Sequence, residues 1–260
     1  MKTLLICHES ETLDRVAMPR WLGSFSTLVG IVVIRERSTP TLRRAVREIR
    51  RVGPLRFLDV VALRLYYRLF LARRDRRWQT ARLDQLLARY PPVTAPALVT
   101  ESPNALEVEQ FIAAAAPDLV VARCKVLLEE RIFSIPARGT FVMHPGVCPE
   151  YRNAHGCFWA ISRGDFDRVG MTLLRVDRGI DTGAVFGYFT YPFDSYAESH
   201  VAIQSRVVYD NLDAIARTLS AIGSQTASTV DTTGRSSAIW GHPWLSSYLR
   251  WKLRARRTGR

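Results

Sequence analysis

Cysteine and nucleotide-binding glycine motifs are scarce or absent in this 260-residue sequence. The four cysteines, Cys7, Cys124, Cys148 and Cys157, form no C-x-x-C pair and no zinc-type spacing, so neither a disulfide framework nor a metal site is predicted. No G-x-G-x-x-G follows the first apolar run, and no G-x-x-x-x-G-K-[ST] occurs. These absences argue against a dinucleotide site and against nucleotide hydrolysis.

Long apolar runs are also missing. None approaches the roughly 18 apolar residues of a spanning helix, and the N-terminal stretch MKTLLICHES is too short for the apolar core of a signal peptide. We therefore expect a cytoplasmic protein, either free or attached to the inner surface of the membrane.

Acidic residues are too few to balance the basic ones, and the net charge is +13. Residues 41–90 hold fourteen arginines against four acidic residues, and residues 250–260 hold six basic residues and no acidic one. These two segments account for the whole excess, so the rest of the chain is close to neutral. Such clusters attract phosphorylated small molecules, anionic membrane surfaces or other polyanions.

The pattern of apolar runs predicts an α/β protein with an open, mostly parallel twisted sheet. Short apolar runs alternate with helical stretches, as expected when helices cover both faces of a parallel sheet. We expect one helix over 13–22, with Pro19 counting against its middle, and another that Ser102 caps and that ends before Pro117. A further helix is expected over 197–222. The expected strands are 3–7, 29–35, 97–100, 118–122, 139–143, 169–176 and 184–190.

Two segments do not fit this alternation. Residues 41–90 are predicted to form two or three Arg-rich helices broken at Gly53-Pro54, with Arg64 and Arg68 one turn apart. Such an insertion either packs on the body or binds a membrane surface or a phosphate group. Residues 223–260 are predicted to be a linker, to about 237, followed by a basic aromatic tail. We expect the aromatic side chains of the tail to pack on the body, and nucleic acid is not the expected partner.

The residues typical of proton-transfer chemistry lie in the second half of the chain. His144-Pro-Gly follows the predicted strand 139–143, and Asp181 lies between Gly179 and Gly183 in a turn. Ligand sites form at the carboxyl edge of an open parallel sheet, and a His with an Asp suits proton transfer near neutral pH. Taken singly, each residue is more often structural. His8, after the first strand, either lines an acceptor site or caps the next segment.

Several motifs in one order change that assessment. This order resembles the family of formyltransferases that use 10-formyltetrahydrofolate, and the resemblance covers about residues 95–190 and, loosely, the first strand. It does not extend to 41–90 or to the tail. The matching motifs are His144-Pro145-Gly146, Pro149-Glu-Tyr151-Arg152, Trp159-Ala160, Gly170-Met-Thr172 and Asp177-Arg-Gly179-Ile-Asp181-Thr-Gly183.

The resemblance implies a Rossmann-like formyltransferase fold in residues 1–222, with 41–90 as an insertion. It assigns the catalytic roles to His144 and Asp181, which would stabilise the negative formyl oxygen and move protons. It also implies 10-formyltetrahydrofolate as co-substrate and no metal. Two loops would hold its pterin end largely through backbone groups: Arg123, Cys124, Lys125, Val126 and Leu127 in one, and Asp177, Gly179 and Ile180 in the other.

The sequence departs from the family pattern at the catalytic amide. The family asparagine two residues before the histidine is Val142 here, which has no hydrogen-bond donor, and Asn153 stands where the family has glycine. Three interpretations are open. Asn153 or His155 replaces the lost donor; His144 works alone, slowly or on a different acyl group; or the fold persists without formyl transfer.

The acceptor is expected to be a small molecule with a primary amine, and a phosphorylated one because phosphate pairs well with arginine. Members of the family act on glycinamide ribonucleotide, methionyl-tRNA or amino sugars on nucleotide carriers. Residues 196–260 are too few for the separate C-terminal barrel of the tRNA-directed members. We therefore expect an amino sugar on a nucleotide or lipid carrier. The alternatives are a non-catalytic membrane- or polyanion-binding protein, and a hydrolase that releases formate from the folate.

Overall fold

The computed structural model describes residues 1–35, 46, 49–50 and 52–258 of the chain. Seven strands form one sheet in the order β3-β2-β1-β4-β5-β7-β8, in which β1 to β5 are parallel and β7 and β8 run antiparallel. Two short strands, β6 and β9, pair separately and in parallel. The strands are β1 Lys2–His8, β2 Thr27–Ile34, β3 Ala97–Thr100, β4 Leu119–Arg123, β5 Gly139–His144, β6 Arg152–Asn153, β7 Met171–Arg175, β8 Val185–Phe189 and β9 Ile239–Trp240.

Helices cover both faces of this sheet, which confirms the predicted α/β architecture. The side chains on the two faces of β1 pack into two separate apolar clusters. Leu5 and Cys7 lie in one cluster, and Leu4 and Ile6 lie in the other. Successive side chains of a strand point to opposite faces, so a strand buried on both sides carries a continuous apolar run. The helices are α1 Met18–Gly23, α2 Pro54–Tyr66, α3 Ala72–Arg89, α4 Leu106–Ala115, α5 Glu130–Phe133, α6 Gly156–Arg163, α7 His200–Tyr209, α8 Leu212–Gly223 and α9 Leu245–Thr258.

Three helix boundaries differ from those expected. Helix α4 begins at Leu106 and not at Pro103, because the Ser102 hydroxyl accepts a hydrogen bond from the Asn104 amide and so stabilises a turn. The helix expected over 197–222 is instead two helices, α7 and α8. The Asn211 side chain between them donates a hydrogen bond to a carbonyl in the last turn of α7. Residues 13–23 form a π-helical turn followed by α1, with Pro19 in the first turn, where it is tolerated.

The Arg-rich segment is helical from Pro54 to Arg89, through α2, a π-helical turn over Tyr67–Leu71 and α3. The expected helical character is therefore confirmed over 54–89, whereas residues 41–45, 47–48 and 51 lie outside the described part. Val60, Leu63 and Leu86 are buried against the body. The buried carboxylate of Asp75 accepts a hydrogen bond from Ser199, the N-cap of α7.

The C-terminal segment also packs on the body, as expected. Tyr248 and Trp251 of α9 are buried, and Arg235 in the preceding linker donates to both carboxylate oxygens of Glu150 at 2.9 and 2.7 Å. None of the described helices has both the length and the apolar character needed to cross a membrane.

A buried ion pair joins the first helical turn to the centre of the sheet. Arg123, at the end of β4, donates to Asp14 at 2.9 Å and to the Met143 carbonyl at 2.8 Å. The Tyr209 hydroxyl donates to the same Asp14 oxygen. Burial alone would lower the pKa of Arg123, but the Asp14 carboxylate and Tyr209 raise it above its ordinary value. The pair therefore holds α7, β4 and β5 together.

We expect Asp14→Ala to lower the free energy of unfolding by about 3–5 kcal/mol, because it leaves the Arg123 charge buried without a partner. Guanidinium chloride denaturation measures the loss. The double variant Asp14→Leu with Arg123→Met removes both charges and should recover most of the lost stability. The usual cost of breaking a buried pair is larger than about 1 kcal/mol. A smaller loss in the single variant would show that water or another group compensates the buried charge of Arg123.

Candidate active site

Polar side chains meet at the carboxyl edge of the sheet, where β1 ends at His8, β4 at Arg123 and β5 at His144. Asp181 comes to this edge on the loop between β7 and β8. Carboxyl ends of neighbouring parallel strands open a crevice in α/β folds, so a histidine that ends a central strand stands at its mouth.

His144 and Asp181 face each other at this edge, as the sequence predicts. The His144 Nδ1 lies 3.3 Å from Asp181 Oδ2, and both side chains are largely buried. The other ring nitrogen, Nε2, lies 2.8 Å from the Tyr151 carbonyl oxygen. A carbonyl only accepts hydrogen bonds, so Nε2 carries a proton.

The loop that carries Asp181 is held by its own side chains. Asp177 Oδ1 accepts hydrogen bonds from the Gly179 amide at 2.9 Å and from the Thr182 hydroxyl at 2.7 Å. A Cβ at Gly183 would lie 1.8 Å from the Arg175 carbonyl oxygen, so only glycine fits there. Asp181 itself has a φ of 51°, a left-handed conformation that costs free energy for a residue with a side chain. This strain aims its carboxylate at His144.

A steric constraint also requires glycine at position 146, the third residue of the His-Pro-Gly motif. A Cβ at Gly146 would lie 2.5 Å from the Tyr151 carbonyl oxygen and 2.7 Å from His144 Nε2. Glycine at this position therefore lets the chain double back far enough for that carbonyl to bind the imidazole.

Asn153 does not supply the missing amide through its side chain, which corrects that expectation. Its side-chain Nδ2 donates to the Trp240 carbonyl at 2.6 Å, across the β6–β9 pair. Its backbone amide instead donates to Asp181 Oδ2 at 2.8 Å. The left-handed φ of 73° at Asn153 is the reason, because it turns the amide N–H toward the loop and the side chain toward β9. Asn153 therefore positions Asp181.

His155 lies in a separate group of imidazoles. Its ring centroid is 5.8 Å from that of His242 and 6.1 Å from that of His200, and no described contact joins it to His144. Burial and the nearby His242, Arg64 and Lys125 lower the pKa of His155 to about 4. The nearby Arg64 places the Arg-rich insertion beside His155. The expectation that His155 faces His144 is thus not met by any contact of the described residues.

Position 142 has no donor. Val142 precedes His144 by two residues on β5, so the two side chains point to the same face of the sheet. Its partners on the flanking strands are Ala122 and Leu174, which are apolar as well. The formyl oxygen expected here therefore lacks the amide of the family pattern.

The loop after β4 carries exposed apolar side chains. Val126 and Leu127 are exposed, and the Lys125 amide donates to His8 Nε2 at 2.9 Å, which holds the loop against the end of β1. Exposed apolar side chains beside backbone groups suit a pterin ring, and the assignment of residues 123–127 to that ring stays a prediction. The Arg123 side chain is bound to Asp14, so this residue could contribute only its backbone groups. Burial raises the pKa of Cys124 to about 11, so its thiol stays protonated.

Backbone groups of the second loop are partly engaged within the protein. The Gly179 amide donates to Asp177, the Ile180 carbonyl accepts from Arg152 at 3.2 Å, and Arg178 pairs with Glu130 of α5. The assignment of this loop to the pterin end of the folate stays a prediction. Sequence reasoning missed the roles of the Tyr151 and Trp240 carbonyls. Backbone carbonyls have no side-chain signature, so no signal in the sequence points to them.

Residues 83–219 of the chain match the family model described as "Formyl transferase". A methionyl-tRNA formyltransferase of Sorangium cellulosum is 31% identical over 125 residues, which is 45% of this chain and 40% of that protein. The methionyl-tRNA formyltransferase of Nitrosomonas europaea is 29% identical over 154 residues, 59% of this chain and 45% of that protein. The chain therefore spans less than half the length of these curated relatives.

Solved structures share the fold at low identity. A sugar N-formyltransferase from Shewanella sp. superposes with a TM-score of 0.57 at 14% identity, covering 98% of this chain and 88% of that one. A phosphoribosylglycinamide formyltransferase from Anaplasma phagocytophilum gives 0.58 at 12% identity, covering 92% and 97%. At these identities the likeness shows the fold alone.

The buried imidazoles predict an acid-sensitive fold. Burial lowers the pKa of His200 to about 3, and that of His155 to about 4, whereas both titrate near their ordinary value when unfolded. The unfolded chain therefore binds protons on these histidines at a pH at which the folded protein does not. Their contribution to the free energy of unfolding is fully present above pH ~6.5. It is lost as the pH falls, by about 1.4 kcal/mol per pH unit for each proton.

Denaturant unfolding of the wild type and His200→Gln between pH 8 and pH 5 measures this effect. The variant should show a shallower acid limb, by about 1.4 kcal/mol per pH unit, and the same slope as the wild type near pH 8. Parallel acid limbs in the two proteins would mean that His200 is protonated in the folded state.

Proposed function

Because this chain belongs to the formyl transferase family, we propose that it transfers a formyl group from 10-formyltetrahydrofolate to a primary amine, with His144 and Asp181 as the catalytic pair. The observation that carries the proposal is the 3.3 Å separation of His144 Nδ1 and Asp181 Oδ2 at the carboxyl edge of the sheet. Residues 1–222 would form the catalytic domain, with 41–90 as an insertion.

The bound 10-formyltetrahydrofolate would supply an activated formyl carbon. The exposed Val126 and Leu127 and the backbone of the 177–182 loop would hold its pterin end. His144 would stabilise the negative charge that develops on the formyl oxygen as the amine attacks the formyl carbon. Asp181 would take the proton that the attacking amine loses and return a proton to the folate nitrogen as the bond between that nitrogen and the formyl carbon breaks. Tyr151 and Asn153 act through their backbone groups, which orient the two catalytic side chains.

The acceptor is proposed to carry an anionic group, as an amino sugar on a phosphorylated carrier does. Arg64 lies near enough to His155 to lower its pKa, which brings positive charge from the insertion toward the segment that follows β6. Within the described residues no carboxylate pairs with Arg64. Guanidinium groups without a partner suit phosphate. Two of the similar structures are titled as a sugar N-formyltransferase and a phosphoribosylglycinamide formyltransferase, which supports a small acceptor.

We expect His144→Gln and Asp181→Asn each to lower the turnover of formyl transfer by about 100-fold or more, since each removes a side chain that would act on the reacting centre. Asn153→Gly is the matched control: it keeps the backbone amide that holds Asp181, accepts the left-handed φ without strain, and removes only the side-chain amide. Its turnover should stay close to that of the wild type.

Formylated product and free formate are measured together, with phosphorylated and unphosphorylated amino sugars as acceptors. Product that forms only with an amine supports the proposal, and a preference for the phosphorylated sugar supports the anionic acceptor. Formate release that does not depend on an amine would indicate a hydrolase. Folate binding with neither product would indicate a non-catalytic protein. Equal loss of turnover in Asn153→Gly and Asp181→Asn would contradict the assignment of Asp181 as a catalytic residue.

The valine at position 142 yields a second expectation. Val142→Asn would place an amide beside His144, on the same face of β5, and provide the donor that the family pattern has there. Because one such donor is typically worth about 10²–10³ in turnover, we expect turnover to rise by at least tenfold. Val142→Leu, which adds bulk without a donor, is the control. A fall in turnover in both variants would mean that this site needs an apolar group at position 142.

A further inference from the structure

Helix α2 and the π-helical turn after it carry two apolar sides. One side contains Val60 and Leu63, which are buried against the body. The other side contains the leucine stripe, which we define as Leu55, Leu58, Leu65 and Leu69 and whose members are 83, 62, 55 and 72% exposed. At about 100° per residue, the stripe and the buried side lie roughly opposite each other. The leucine stripe therefore does not pack against the body of the protein.

Arginines flank this stripe. Arg64 and Arg68 lie between it and the buried side, both are exposed, and neither pairs with a carboxylate in the described residues. Arg73, Arg76 and Arg77 follow at the start of α3 and are exposed as well. A helix that exposes leucines and arginines side by side has the composition of a helix that lies in a membrane interface.

The C-terminal helix packs on α2. Ser246 of α9 donates hydrogen bonds to Asp59, and the ring centroid of Trp244, just before α9, lies 4.0 Å from the Arg56 guanidinium. Leu249 and Leu253 of α9 remain exposed, next to the exposed Arg250 and Arg256. The two basic segments of the sequence, nearly 200 residues apart, thus form one helical pair.

We infer that this helical pair docks the protein on the surface of an anionic lipid bilayer. The leucines would enter the boundary between headgroups and acyl chains, and the arginines would bind lipid phosphates. A second copy of this chain would bring the same positive charge to the contact, which opposes self-association through this face. A nucleic acid would match the arginines and leave the leucines in water.

Vesicle sedimentation of the full chain tests the inference. The wild type should bind vesicles of phosphatidylglycerol and phosphatidylcholine, with binding that weakens steeply as salt rises, and should bind pure phosphatidylcholine weakly. The variant Leu58→Ser, Leu65→Ser, Leu69→Ser should bind the anionic vesicles at least tenfold less, because a buried leucine is worth about tenfold or more. Circular dichroism and guanidinium chloride denaturation check that it is folded.

Leu106→Ser is the matched control, because Leu106 is as exposed as Leu58 but lies on α4. It should bind vesicles like the wild type. The inference would be overturned by a wild type that ignores anionic vesicles, or by a triple variant that binds them as well as the control. A dimer that the triple variant abolishes, without any vesicle binding, would also overturn it and assign the stripe to a second copy. None of these outcomes depends on whether the protein transfers formyl groups.

Discussion

The candidate site depends on the position of one carboxylate oxygen, Oδ2 of Asp181. It lies 3.3 Å from His144 Nδ1 and accepts the Asn153 amide at 2.8 Å, so it joins the end of β5, the β7–β8 loop and β6. Asp181 holds this position in a left-handed backbone conformation, which costs free energy for a residue with a side chain. The pair is therefore preorganised by the surrounding chain.

Support for this carboxylate extends into the C-terminal segment, beyond the region that matches the family. Strand β6 pairs with β9, the Asn153 side chain holds the Trp240 carbonyl, and the Trp240 indole donates to the Glu150 carbonyl at 2.8 Å. The Trp240 ring also stacks on Tyr151, whose carbonyl binds His144. The tail thus braces both members of the pair, and the same segment continues into the helix that packs on the insertion.

Charge and donors are distributed unusually around this pair. Val142 leaves the face of β5 without one neutral donor, and the insertion brings Arg64 toward His155. Positive charge acts over a longer distance than an amide hydrogen bond and needs less exact geometry. It can attract an anionic acceptor, but it does not replace a donor aimed at one oxygen. We therefore expect a site that binds its acceptor well and depends heavily on His144 for the chemistry.

The sequence by itself determined the strands and the carboxyl-edge location of His144, because apolar periodicity is a local property. Its resemblance to the formyltransferases implied the pairing of His144 with Asp181. It also showed that Val142 lacks a donor, since side-chain chemistry is explicit in the sequence. Only the tertiary structure decided what Asn153 and Arg123 do. The Asn153 side chain binds the Trp240 carbonyl because β9, about 87 residues later, pairs with β6. The Arg123 side chain forms an ion pair with Asp14, 109 residues earlier. Such long-range partners, like the carbonyls of Tyr151 and Trp240, follow from how elements pack, which no local pattern records.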